Sequence, residues 1–159
     1  MNPRRTIESV IMEVAGTFSG YTYLLETMYD ISTRMEKCPY PLIGNIIPDG
    51  GTITLRNGRL RDAENVSLVF LDKVRRGADG RDNEKVYNRM KMVAGLFLER
   101  LNATGFFEGI ESVNYGIVME RLSTIVTGVQ LTFTLRMEMG VCLPDYLHDD
   151  DEEGTGDGH

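Results

Sequence analysis

The chain has 159 residues, enough for one domain with a hydrophobic core and short for two. An apolar content of 42% with 26% charged residues excludes disorder of the whole chain. The formal charge of -7 is local: Asp149, Asp150, Asp151, Glu152, Glu153 and Asp157 supply six of the 24 acidic residues, and without them 18 face 17 basic ones, so the body gives no electrostatic case for nucleic-acid binding.

Near the N-terminus, Ile7, Val10, Ile11, Val14 and Phe18 follow the spacing of one helix face, which predicts a helix over residues 5–17. Glu8 and Glu13 break its apolar run, so it does not read as a signal peptide, and no segment has the length of a membrane span. Residues 21–37 carry two periods at once. Leu24, Met28, Ile31 and Met35 are helix-spaced while Tyr21, Tyr23 and Leu25 alternate, and the helical reading is preferred.

Pro39, Pro41 and Pro48 forbid a helix and bracket a strand over 42–47, followed by a turn at 48–51. ITLRNGRL places Asn57-Gly58 at a hairpin turn, and NVSLVFLDKV is a further apolar strand. The polar loop 75–83 ends at Asp82 or Asn83, either of which suits an N-cap. The next helix has a stripe of Val86, Met90, Val93, Phe97 and Leu101, stopped by Asn102 and Gly105.

A final hairpin is expected, with its connection near 123–127. In its second strand Val129, Leu131, Phe133, Leu135, Met137 and Met139 share one face, and Gln130, Thr132, Thr134, Arg136 and Glu138 the other. These elements predict a single α+β domain over 1–145, with helices packed on one face of an antiparallel or mixed sheet. Residues 146–159 have too little apolar surface to order themselves and read as a disordered acidic tail, a solubilising extension.

Chemistry-bearing patterns are sparse. Both histidines, His148 and His159, sit in the acidic tail, which argues against a nucleophile–histidine pair. Cys38 and Cys142 form no CxxC motif and read as reduced thiols. No phosphate-cradling glycine motif is present, and Asp79, Arg81 and Asn83 lack the spacing of a calcium loop. Asp30, Asp72 and Asp82 have no spacing that ties them into acid–base work. The residues marked for intermolecular contact are Arg75, Arg76 and Arg81 in one loop, and Gln130, Thr132, Thr134 and Arg136 on the polar face and free edge of the last strand.

The stretches YPLIGNIIPDGGTI, VSLVFLDKV, NEKVYNRMKMVAGLFLERL and VNYGIVMERLSTIVTGVQLTFTLR, in that order, resemble the tail-terminator and tail-completion proteins of long-tailed bacteriophages and prophages. The resemblance covers about residues 5–140. It implies a non-enzymatic virion protein without cofactor or metal, assembled in the host cytoplasm. Such proteins form a ring, commonly of six copies, that caps the tail tube and stops its polymerisation. Its implied partners are further copies of itself, the tail tube protein and the head-completion or neck proteins, with DNA passing through the lumen and no membrane contact. A stopper or connector of the same neck, or a small carboxylate- and metal-dependent cytoplasmic enzyme, are the alternative readings.

Overall fold

Thr6 opens the first helix with a reciprocal cap: its hydroxyl accepts the Ser9 N–H (3.0 Å) and its own N–H donates to Ser9 Oγ (2.9 Å). The computed structural model describes residues 6–122 and 124–138. Helix α1 (Ile7–Ala15) buries Ile7, Val10, Ile11, Val14 and Ala15, as its spacing requires. Met139, Cys142 and the expected tail from 146 lie outside the described residues, as does the boundary at 145.

The helical reading of 21–37 is corrected. Tyr23 and Leu25 belong to strand β1 (Thr22–Glu26), which Tyr21 precedes, and only the later part is helical, as α2 (Ile31–Lys37). β1 pairs in parallel with β2 (Leu42–Ile46), and α2 is the crossover that a parallel pair demands. β2 is followed by β3 (Gly51–Arg56), then β4 (Arg59–Val74), α3 (Gly80–Ala103), β5 (Asn114–Arg121) and β6 (Ile125–Glu138).

These strands form one mixed sheet in the order β1-β2-β4-β6-β5, with β3 also paired to β4. The expected α+β class is therefore observed, but the expected placement of the helices on one face is corrected. α1 and α3 cover one face, where Phe70, Phe97, Val129, Leu131 and Leu135 form the main core. α2 lies on the opposite face, where Ile31 and Met35 pack on Leu42, Val69, Leu71 and Val126. That core was hidden in the sequence by its short apolar runs.

NVSLVFLDKV is not a separate strand but the second half of β4, which runs unbroken for 16 residues from the Asn57-Gly58 turn. β2 and β3 both pair along the same edge of β4, Ile46 opposite Ser67 and Gly51 opposite Glu64. Residues 47–50 interrupt them where Pro48 cannot donate to the ladder. Beyond this break β3, the first half of β4 and the end of β6 make a three-stranded arm whose side chains are mostly exposed.

The cap of α3 is also corrected. It is Asp79, whose carboxylate accepts the Asp82 N–H (2.9 Å) while Asp82 accepts the Asp79 N–H (3.2 Å). Asp82 is thus the partner in the capping box, and Gly80 and Arg81 are already helical. Asp79→Ala leaves helix-end donors unmatched and is expected to lower stability by about 1 kcal/mol, read as a lower urea midpoint. An unchanged midpoint would show that this cap contributes nothing.

Candidate functional site

The sheet face opposite α1 and α3 is only partly covered. α2 shields its β1–β2 side, and the β4–β6–β5 region beyond carries Asn65, Ser67, Gln130, Thr132, Thr134 and Asn114. The strand register places them together, since Ser67 faces Thr132, Asn65 faces Thr134, and Asn114 faces Thr132 from the other side. Gln130 donates to Ser67 Oγ (2.7 Å) and Thr134 donates to Asn65 Oδ1 (3.4 Å). Where β5 begins, a polar notch of about 400 Å³ opens between Glu108, Ser112, Asn114, Thr132, Thr134 and Arg136.

The expected free edge of the last strand is corrected. β6 is an inner strand, paired to β4 along its whole length and to β5 from Ile125 to Thr132. Past that point the Glu108 N–H donates to the Arg136 carbonyl (3.0 Å), so a loop partly occupies this side too. Among the described residues the open edges belong to β1 and β5, at the two ends of the sheet, and to β3, which pairs only with β4. What Gln130, Thr132, Thr134 and Arg136 offer is a face.

The two groups of residues marked in the sequence are not brought together. Arg75 and Arg76 follow Val74, which faces Ile125 at the start of β6, whereas Arg136 lies eleven positions on, opposite Ala63. At about 3.3 Å per residue that separates them by roughly 36 Å. Arg75 is exposed, and its Nη2 donates to the partly buried Asp82 carboxylate (2.9 Å). This hydrogen bond, helped by the Asp79 N–H, holds the Asp82 carboxyl below its usual range. Arg75 therefore serves the α3 cap, Arg81 stands in its first turn, and Arg76 is exposed in the preceding turn.

Other exposed side chains were not singled out from the sequence. On the arm Arg56 faces Arg59, and Arg61 follows two positions along, which puts three guanidinium groups on the same face as Arg136. Arg61 donates to Glu108 (2.8 Å), and Glu138 lies 3.7 Å from Arg59. The signal was present as RNGRLR around the turn. On the helix-bearing side of the sheet, Ile53 and Leu55 on the arm are 67% and 66% exposed. Tyr115, Ile117 and Met119 make a second exposed apolar stripe on edge strand β5.

The chain matches no protein-family model, and no curated protein is similar to it in sequence. Function is therefore read from these surfaces. Asp72 pairs with Arg89, Asp82 with Arg75, and Asp30 with Thr27, so the carboxylates weighed for acid–base chemistry stand apart, each with local partners. Among the described residues no group of three or more His, Cys, Asp or Glu side chains gathers around a metal-sized space. Among them, too, no helix is long and apolar enough to cross a membrane.

A smaller cleft of about 240 Å³ lies between α1 and the base of the arm, lined by Ile7, Ile11, Leu25, Ile47 and Val66 with Glu8, Asn45 and Glu64. Asn45 donates to the Tyr23 hydroxyl (3.1 Å), which donates to Glu8 (2.9 Å), a chain that ties α1 to β1 and β2. Burial is the main cause that raises the Tyr23 hydroxyl above its ordinary pKa, and it does the same for Glu64, helped there by Asp62.

Proposed function

We propose that this chain is a structural protein of a long-tailed bacteriophage or prophage. It assembles head to tail into a ring, commonly of six copies, that caps the tail tube, ends its polymerisation and joins it to the head-completion proteins. Its place is the virion, at the neck, after assembly in the host cytoplasm. DNA passes through the lumen of the ring.

The main support is the placement of two exposed apolar stripes on the same side of the sheet, at opposite flanks of the β4–β6 pair. Ile53 and Leu55 lie on the arm beside β4, and Tyr115, Ile117 and Met119 lie on edge strand β5 beside β6. Two different patches on opposite flanks are what a heterologous contact needs, and repetition of one such contact by rotation closes a ring. Five large apolar side chains left in water are otherwise a liability for a folded domain. The open polar face leaves a second surface for the tube and neck proteins.

Charge placed in either stripe tests this directly. Ile53→Lys with Leu55→Lys, and separately Ile117→Lys with Met119→Lys, are each expected to give folded monomers by light scattering. Mixing the two variants is expected to give a dimer and no larger species, because only one good contact remains. A variant that keeps the parent mass, or a mixture that stays monomeric, would overturn the assignment of these stripes.

A further inference from the structure

The arm carries more positive charge on one face than its own carboxylates neutralise. Arg56, Arg59, Arg61 and Arg136 share this face, with Glu108 and Glu138 as the acidic side chains paired to it. Thr54, Asn57 and three of these arginines line a hollow of about 460 Å³ at the tip. The arginines are exposed, Arg59 to 76% of its side chain and Arg61 to 52%. A planar guanidinium pairs well with carboxylates, and four on one surface form a site for a polyanion.

The same chain supplies such a polyanion close by. β6 ends on this arm, with Glu138 facing Arg61 in register. Asp149 lies eleven positions further on and begins a run of Asp149, Asp150, Asp151, Glu152 and Glu153, with Asp157 after it. A random-coil chain of eleven residues has a root-mean-square reach of about 17–20 Å. The arm itself, six residues of β3, is roughly 20 Å long. The acidic run is therefore tethered within range of the arginines at an effective concentration in the millimolar range.

We propose that residues 149–157 cover the arginine face of the arm within the same chain. The contact is electrostatic, and other polyanions compete with the segment for this surface. It is independent of ring formation, because donor and acceptor belong to one copy. Its dependence on salt follows from the exposure of the groups involved.

A nitroxide on Thr155→Cys, in a chain with Cys38→Ser and Cys142→Ser, reports on the contact through the methyl signals of Ile53, Leu55 and Leu60. These arm methyls are expected to broaden at low salt while those of Ile31 on the far core stay sharp. Sharp signals should return at about 1 M salt, where the Debye length is about 3 Å, and in a variant whose six acidic residues are changed to Asn or Gln. Arm methyls as sharp as Ile31 at low salt would overturn the proposal. So would broadening that appears only when spin-labelled chains are mixed with isotope-labelled ones, since the segment would then sit on a neighbouring copy. Binding of a duplex oligonucleotide to the arm of the wild-type chain without displacement of the segment would assign the face to nucleic acid instead.

Discussion

Phe97→Ala is expected to lower the unfolding free energy by about 3–5 kcal/mol, a large share of the roughly 5–15 kcal/mol that holds a domain of this size together. Phe97 has no exposed surface and sits where three elements meet. Its ring stacks on Phe18 after α1 (5.8 Å between centroids) and meets Phe70 of β4 edge-on (5.4 Å). Removing it leaves a cavity between helix and sheet that the paired strands below cannot close, and the Phe18 ring loses its partner. Arg100 over that ring at 4.3 Å, bonded to the Thr17 hydroxyl (2.9 Å), offsets little of this at an exposed position. Urea unfolding measures the change, and a loss under 1 kcal/mol would mean that the aromatic cluster is not the centre of the core.

Gly128→Ala should be comparably damaging for a different reason. Gly128 faces Leu71 across the β4–β6 ladder, and a methyl group there would overlap the Phe70 carbonyl oxygen and come within 3.0 Å of Leu71 Cα. Both obstacles are backbone, so relief requires the two longest strands of the sheet to move apart. A loss of about 3 kcal/mol or more is expected, at the upper end for overpacking. Gly116, on the edge strand with open space where its Cβ would be, is the control: Gly116→Ala should change stability little. Equal midpoints for Gly128→Ala and the parent would show that β4 and β6 are not in such close contact.

Elements with one uninterrupted period were legible in the sequence. The stripe of α3 and the alternation of β6 each run for several turns or pairs, and Val129, Leu131 and Leu135 are buried as their face requires. β1 was not legible because it spans only five residues, and Leu24 in it also fits the helical spacing completed by Ile31 and Met35 of α2. β4 was read as two pieces because its first half lies in the arm, where Asp62, Glu64 and Asn65 meet solvent and no apolar face repeats. Asp79 was overlooked as a cap because Gly80 beside it looks like loop chemistry, although a glycine at the first helical position is tolerated.

The candidate surfaces were legible in part. Thr132, Thr134 and Arg136 line one notch as their shared face suggested, yet whether a strand is inner or edge depends on pairing partners that lie elsewhere in the chain. For the same reason the loop arginines could be grouped with β6 in the sequence and still stand at its opposite end. The apolar stripes of β3 and β5 were visible as ordinary strand residues. The sheet order and the exposures show that they stay largely uncovered, with Lys91 of α3 reaching only the Tyr115 ring (5.2 Å).

The ring is tested most directly by the molar mass of the 159-residue chain in solution, measured by light scattering across a concentration series, alone and with the tail tube protein. The predicted result is a stable species near six times the 17.9 kDa chain mass, lost when charge is placed at Ile53 and Leu55. A chain that stays at 17.9 kDa at every concentration, with and without the tube, would contradict it.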